Sequence, residues 1–131
     1  MIGLDTNVLV QFLLKDDRVQ ASSAANLIIS LPGTEMAFVS TVVLVELAWV
    51  LRYVYQVSKE DVCEILKGLA RVQSLKIEQA EVFFKAVEIS ADSAADLVDH
   101  LIAELALAAG CHLTYTFDRT ASRAAGMRLL Q

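Results

Sequence analysis

Short apolar stretches alternate with helix-length segments along the whole chain, and acids stand where several of them end. Met1-Ile2-Gly3-Leu4 reads as a buried strand closed by Asp5. Thr6 or Asn7 then caps a helix to about Leu14, since both side chains accept from backbone N–H groups. A second helix is predicted from about Arg18 to Leu31, stopped by Pro32-Gly33, and Glu35 to Val39 is a second strand. From Thr41 to about Gln56 the chain is apolar on nearly every side, which predicts a buried helix. Ser58-Lys59-Glu60-Asp61 resembles a capping box opening a helix to about Val72. Leu75 to Glu78 is extended, and a helix follows from Gln79 to about Ala91. Asp96 to Ala109 reads as a helix with Val98, Leu101, Ile102 and Leu105 inward and Gly110 as its stop. His112–Phe117 reads as a strand, Arg119–Ala125 as a helical turn and Met127–Leu130 as a closing strand.

This alternation implies an α/β layer fold with a mainly parallel sheet. Ligands of such sheets bind at the edge where the strands end. A chain of 131 residues fits one domain, 1–131, able to bury roughly two-thirds of its unfolded surface. At 56% hydrophobic it has more apolar surface than one small core needs, so an oligomeric or partner interface is expected. No membrane span is expected, because Glu46 breaks the longest weakly charged window, Met36 to Leu51. No signal peptide is visible, since Asp5 interrupts the start. Cys63 and Cys111 lack metal-site spacing and read as small buried groups in a reducing cytoplasm. A net charge of −5 argues against a nucleic-acid coat protein but not against a nuclease, whose bound cations reverse the local sign.

The acids carry the chemistry. Asp5, Glu46, Asp99 and Asp118 each adjoin or interrupt an apolar segment, with no Lys or Arg placed in sequence to neutralise them. Carboxylates buried in such places must be paired, protonated or bound to a cation. Asp5 and Asp118 directly follow strands and should reach the sheet edge, although each also reads as a helix N-cap. Glu46 interrupts the Phe38–Leu51 run, with a buried ion pair to Arg52 as the structural alternative. Asp96 and Asp99 are spaced i, i+3 on one helix face. Asp96 lies in the first turn, where the helix dipole accounts for it, so Asp99 is the better ligand. Oxygen-only donors suit Mg²⁺ or Mn²⁺. Two such ions about 3.5–4 Å apart can activate water and stabilise the leaving oxygen of a phosphodiester.

Leu4-Asp5-Thr6-Asn7, Val45-Glu46-Leu47, Asp99-His100-Leu101-Ile102-Ala103 and Thr116-Phe117-Asp118 resemble, in order, the four motifs of PIN-domain ribonucleases. The likeness is to VapC-type toxins of toxin–antitoxin pairs and spans essentially the whole chain. It implies a three-layer α/β/α fold with a sheet of about five strands. It also implies a metal-dependent endoribonuclease that uses Mg²⁺ or Mn²⁺, forms a homodimer or higher oligomer and binds a cognate antitoxin. Asp5, Glu46, Asp99 and Asp118 carry over as ligands, Asp96 as a frequently acidic neighbour, and Thr6 or Asn7 as groups orienting the first carboxylate.

Arg119 and Arg123 are candidate holders of RNA phosphates, with a solvated helical face as the alternative. His100 should face another side of its helix from Asp99, and His112 should be on the surface. Trp49, Val50, Leu51, Tyr53 and Val54 read as core or dimer surface rather than a base-stacking platform. A haloacid-dehalogenase-type phosphatase shares an aspartate after strand one but wants a second acid where Asn7 stands. A receiver-like Mg²⁺-binding domain would place its acceptor aspartate after the middle strand, whereas Glu46 falls within a helix. A catalytically silent member that only binds is the third alternative.

Overall fold

The computed structural model describes every residue except Pro32 and Thr34, and it comprises two compact units, Met1–Glu78 and Gln79–Gln131. Pro32, half of the expected stop signal, lies outside the described residues, while Gly33 stands in a turn.

In the first unit, β1 (Ile2–Gly3), β2 (Ala37–Val39) and β3 (Leu75–Ile77) form a parallel sheet in that order. Ile2 pairs with Ala37, and Ala37 with Leu75. Parallel neighbours need long crossovers. The first is α1 (Thr6–Leu14) with α2 (Arg18–Ser30). The second is α3 (Thr41–Trp49), a π turn (Val50–Val54), α4 (Lys59–Gly68) and a 3₁₀ turn (Leu69–Arg71). Helix α1 packs on both α2 and α3. The central strand buries Ala37 and Val39 completely.

Local signals set these boundaries. Ser58 caps α4, its Oγ accepting the Asp61 amide at 3.1 Å. Of the three caps read for α1, it is Asp5 rather than Thr6 or Asn7 that serves. The β1 ladder continues through Leu4 N–H to Phe38 O at 3.0 Å, which holds the chain extended for one residue more. The expected all-round buried helix at 41–56 needs correction. Leu44, Leu47, Ala48 and Leu51 form one inward stripe, while Val42, Trp49, Tyr53 and Val54 face solvent. Apolar composition alone did not reveal that only one stripe meets the core.

In the second unit, α5 (Ala80–Ser90) packs along α6 (Leu97–Ala108). Lys85 Nζ bridges these helices to Glu104 Oε2 at 3.2 Å. The chain then runs through β4 (Tyr115–Thr116), α7 (Arg119–Ala124) and β5 (Arg128–Leu129). The two strands pair in parallel, Tyr115 opposite Arg128 and Thr116 opposite Leu129. Among the described residues five strands form, as ladders of three and two, and every pairing is parallel. The strand expected at His112–Phe117 is shorter because only two of its residues find a partner.

Gly110 stops α6 in the left-handed region, φ +97°, where a side chain would be strained. The inward stripe of α6 is turned from the predicted one: Leu101 and His100 are buried, while Val98 and Ile102 are exposed. The His100 ring is accommodated inside because its Nε2 lies 2.7 Å from Ser93 Oγ. Cys63 is buried as expected, but Cys111, just past the Gly110 turn, is exposed. No helix among the described residues is long and apolar enough to cross a membrane.

Candidate metal centre

The candidate ligands come two from each unit: Asp5 and Glu46 from the first, Asp99 and Asp118 from the second. None is buried. Asp5, Glu46 and Asp118 are exposed and Asp99 is half-buried, which corrects the expectation of costly interior carboxylates. The apolar segments end just before these acids or turn them outward.

Asp5 stands one residue past the end of the β1 ladder. Its Oδ1 accepts the Thr6 amide at 2.8 Å, so one oxygen is tied to the helix and the carboxylate direction is set. Thr6 itself is 3% exposed, and its Oγ1 is a buried hydroxyl with no partner among the described residues. An orphaned buried hydroxyl costs about 1–3 kcal/mol unless something engages it. Asn7 is exposed.

Glu46 lies in the second turn of α3. The Arg52 pairing considered as an alternative does not form: the guanidinium reaches Val57 O at 3.4 Å and lies over the Tyr53 ring instead. Two contacts fix the start of α3. Ser40 Oγ accepts the Val43 amide at 3.2 Å, and Glu78 Oε1, from the end of β3, accepts the Thr41 amide at 2.8 Å. The Thr41 amide holds the Glu78 carboxyl below its usual range. A carboxylate favoured in the folded state stabilises above its unfolded pKa, and that stability is lost as pH falls through the lower folded value. Glu78→Gln is therefore expected to lower the melting temperature at neutral pH, with the gap to wild type closing as the buffer is acidified. A gap that stays constant on acidification would refute this role. Sequence reading missed Glu78, because its partner lies 37 residues away.

In the second unit, Asp96 and Asp99 are brought together as a reciprocal capping box at the start of α6. Asp99 Oδ2 accepts the Asp96 amide at 3.2 Å, and the Asp96 side chain receives the Asp99 amide. Asp118 caps α7, with Oδ1 accepting the Ala121 amide at 2.9 Å and its own amide donating to Thr116 Oγ1 at 3.0 Å. Arg119 and Arg123 are exposed on α7, and the Arg123 Nε donates to Arg119 O at 3.3 Å. His100 is a core residue with a hydroxyl partner, and His112 is exposed as expected.

Three of the four candidates thus share one geometry: one oxygen on a backbone amide, the other without a protein donor among the described residues. Among the described residues both oxygens of Glu46 are unengaged, and no Lys or Arg pairs with any of the four. Among the described residues no three or more His, Cys, Asp or Glu side chains gather into a group that could hold a metal ion. Each candidate is nevertheless an oxygen donor of the kind a hard cation takes, and Asp5, Asp99 and Asp118 are oriented by the amides they accept.

These features define an α/β protein with parallel strands and an acidic donor set suited to Mg²⁺ or Mn²⁺. The model of the PIN domain matches residues 2–127, and the chain belongs to the PIN-domain family. That family has a three-layer α/β/α fold, and its members are generally nucleases that use Mg²⁺ or Mn²⁺. No curated protein matches the chain.

Proposed function

We propose that the protein is a metal-dependent endoribonuclease hydrolysing RNA phosphodiesters, as the toxin of a type II toxin–antitoxin pair. The observation that carries this reading is the uncompensated state of Asp5, Glu46, Asp99 and Asp118 at the four motif positions of a chain-length family match. The match runs through both compact units, which supports a single functional domain.

In this reading the four carboxylates together hold one or two Mg²⁺ or Mn²⁺ ions. Ions held there would supply activation of water and relief of charge at the leaving oxygen. Asp5, Asp99 and Asp118 keep their orientation through the amides they cap, so little reorganisation is needed when a cation arrives. Asp96 sets Asp99 in place rather than binding. The Thr6 amide orients the Asp5 carboxylate, with Asn7 next in the chain. Arg119 and Arg123 hold RNA phosphates, and water attacks in line without a covalent enzyme intermediate.

The outward apolar set of Val42, Trp49, Tyr53 and Val54 supports a homodimer or an antitoxin contact, and the setting proposed is the cytoplasm. RNA cleavage assayed with Mg²⁺, Mn²⁺ and EDTA tests the central reading. Cutting should require either ion and stop with chelator. Cleavage that persists in EDTA, or none with either ion, would end it.

A further inference from the structure

We propose that Tyr115, Phe117 and Arg128 form a stacking platform for an unpaired base of the RNA, with Arg119 and Arg123 taking the flanking phosphates. The inference rests on the nuclease reading above and names residues for substrate recognition rather than chemistry.

Phe117 is 78% exposed and Tyr115 is 56% exposed, although aromatic rings are normally the largest contributors to a core. Neither ring pairs with another aromatic among the described residues. Both strands of this small sheet alternate exposed then half-buried, so Tyr115 and Arg128 share the outer face while Thr116 and Leu129 turn the other way. The parallel register sets Tyr115 directly opposite Arg128, and neighbouring strands lie about 4.8 Å apart. A ring and a guanidinium side by side both offer flat surfaces on which a base can stack. Phe117 follows the strand in a bend, two residues past Tyr115, and immediately precedes Asp118.

Charge points to the same occupant. Residues 111–131 carry three arginines and one acid, Asp118, on a chain whose net charge is −5. None of the three arginines forms an ion pair among the described residues. Aromatic faces beside unpaired arginines match single-stranded nucleic acid, whose bases are open to stacking, better than a duplex, whose bases are hidden.

The test measures binding in EDTA, so that cleavage plays no part. A short fluorescent single-stranded RNA is titrated with the full chain, wild type, Phe117→Ala and Phe117→Trp. A second RNA of the same length with abasic sites supplies phosphates without bases. Phe117→Ala should weaken binding of the intact RNA about tenfold, and Phe117→Trp should retain it. The abasic RNA should bind wild type weakly and lose nothing further in Phe117→Ala. Equal binding of intact and abasic RNA by wild type overturns the platform without using any variant, as does failure of wild type to bind RNA. A changed oligomeric state in Phe117→Ala with unchanged RNA affinity assigns the rings to a protein interface and also overturns it. The nuclease reading is judged separately by metal-dependent cleavage, so the two failures are distinguishable.

Discussion

Asp99→Asn is expected to lower metal-dependent RNA cleavage by roughly a thousandfold or more while leaving the protein folded. The magnitude follows from removing one charged ligand, a loss of several kcal/mol of charge stabilisation, where each 1.36 kcal/mol is tenfold in rate. The preserved fold follows from the cap. Asp99 Oδ2 accepts the Asp96 amide, and an asparagine carbonyl in the same place can still accept it. Asp5→Asn should behave alike, because the Thr6 amide needs only an oxygen. Cleavage rates with Mg²⁺ and circular-dichroism melts on the same preparations separate the two effects. Undiminished cutting by the Asp5→Asn/Asp99→Asn double variant would remove the carboxylates from the chemistry.

The largest expected effect on stability is at Phe83. Its ring is 1% exposed on α5 and meets Phe84 edge-on at 5.2 Å between centroids. Phe83→Ala removes the largest fully buried side chain and leaves a cavity, which typically costs about 3–5 kcal/mol. A urea unfolding series would show the midpoint fall accordingly, and a cost below ~1 kcal/mol would show that the neighbouring helices collapse to fill the space.

Most of the element pattern was legible because it is written in local chemistry. Ser58 announces α4 through a hydroxyl that reaches three residues on, and Gly110 ends α6 because few other residues adopt its backbone angle. Where sequence reading failed, the deciding contact was distant. Asp5, Thr6 and Asn7 are all good caps, and only the ladder bond from Leu4 to Phe38 selects the first. The phase of α6 depended on Ser93 accommodating His100 inside, which periodicity does not record. The outward turn of Glu46 depended on which stripe of an apolar helix meets the core. The four acids were legible as a set from their places beside or within apolar segments, and none forms an ion pair among the described residues. Their duty as caps was only half visible, and the brace from Glu78 to Thr41 was invisible.

Position 46 differs from the other three in one respect that bears on how this protein would decay. Folding itself rewards an oxygen-bearing side chain at 5, 99 and 118, since each anchors the start of a helix. On the proposed reading, a descendant that had ceased to cut RNA would still be held to acids or their amides there. Glu46 supports no amide among the described residues, so on that reading only chemistry would retain it, and drift at that codon would be the earliest mark of a silenced copy.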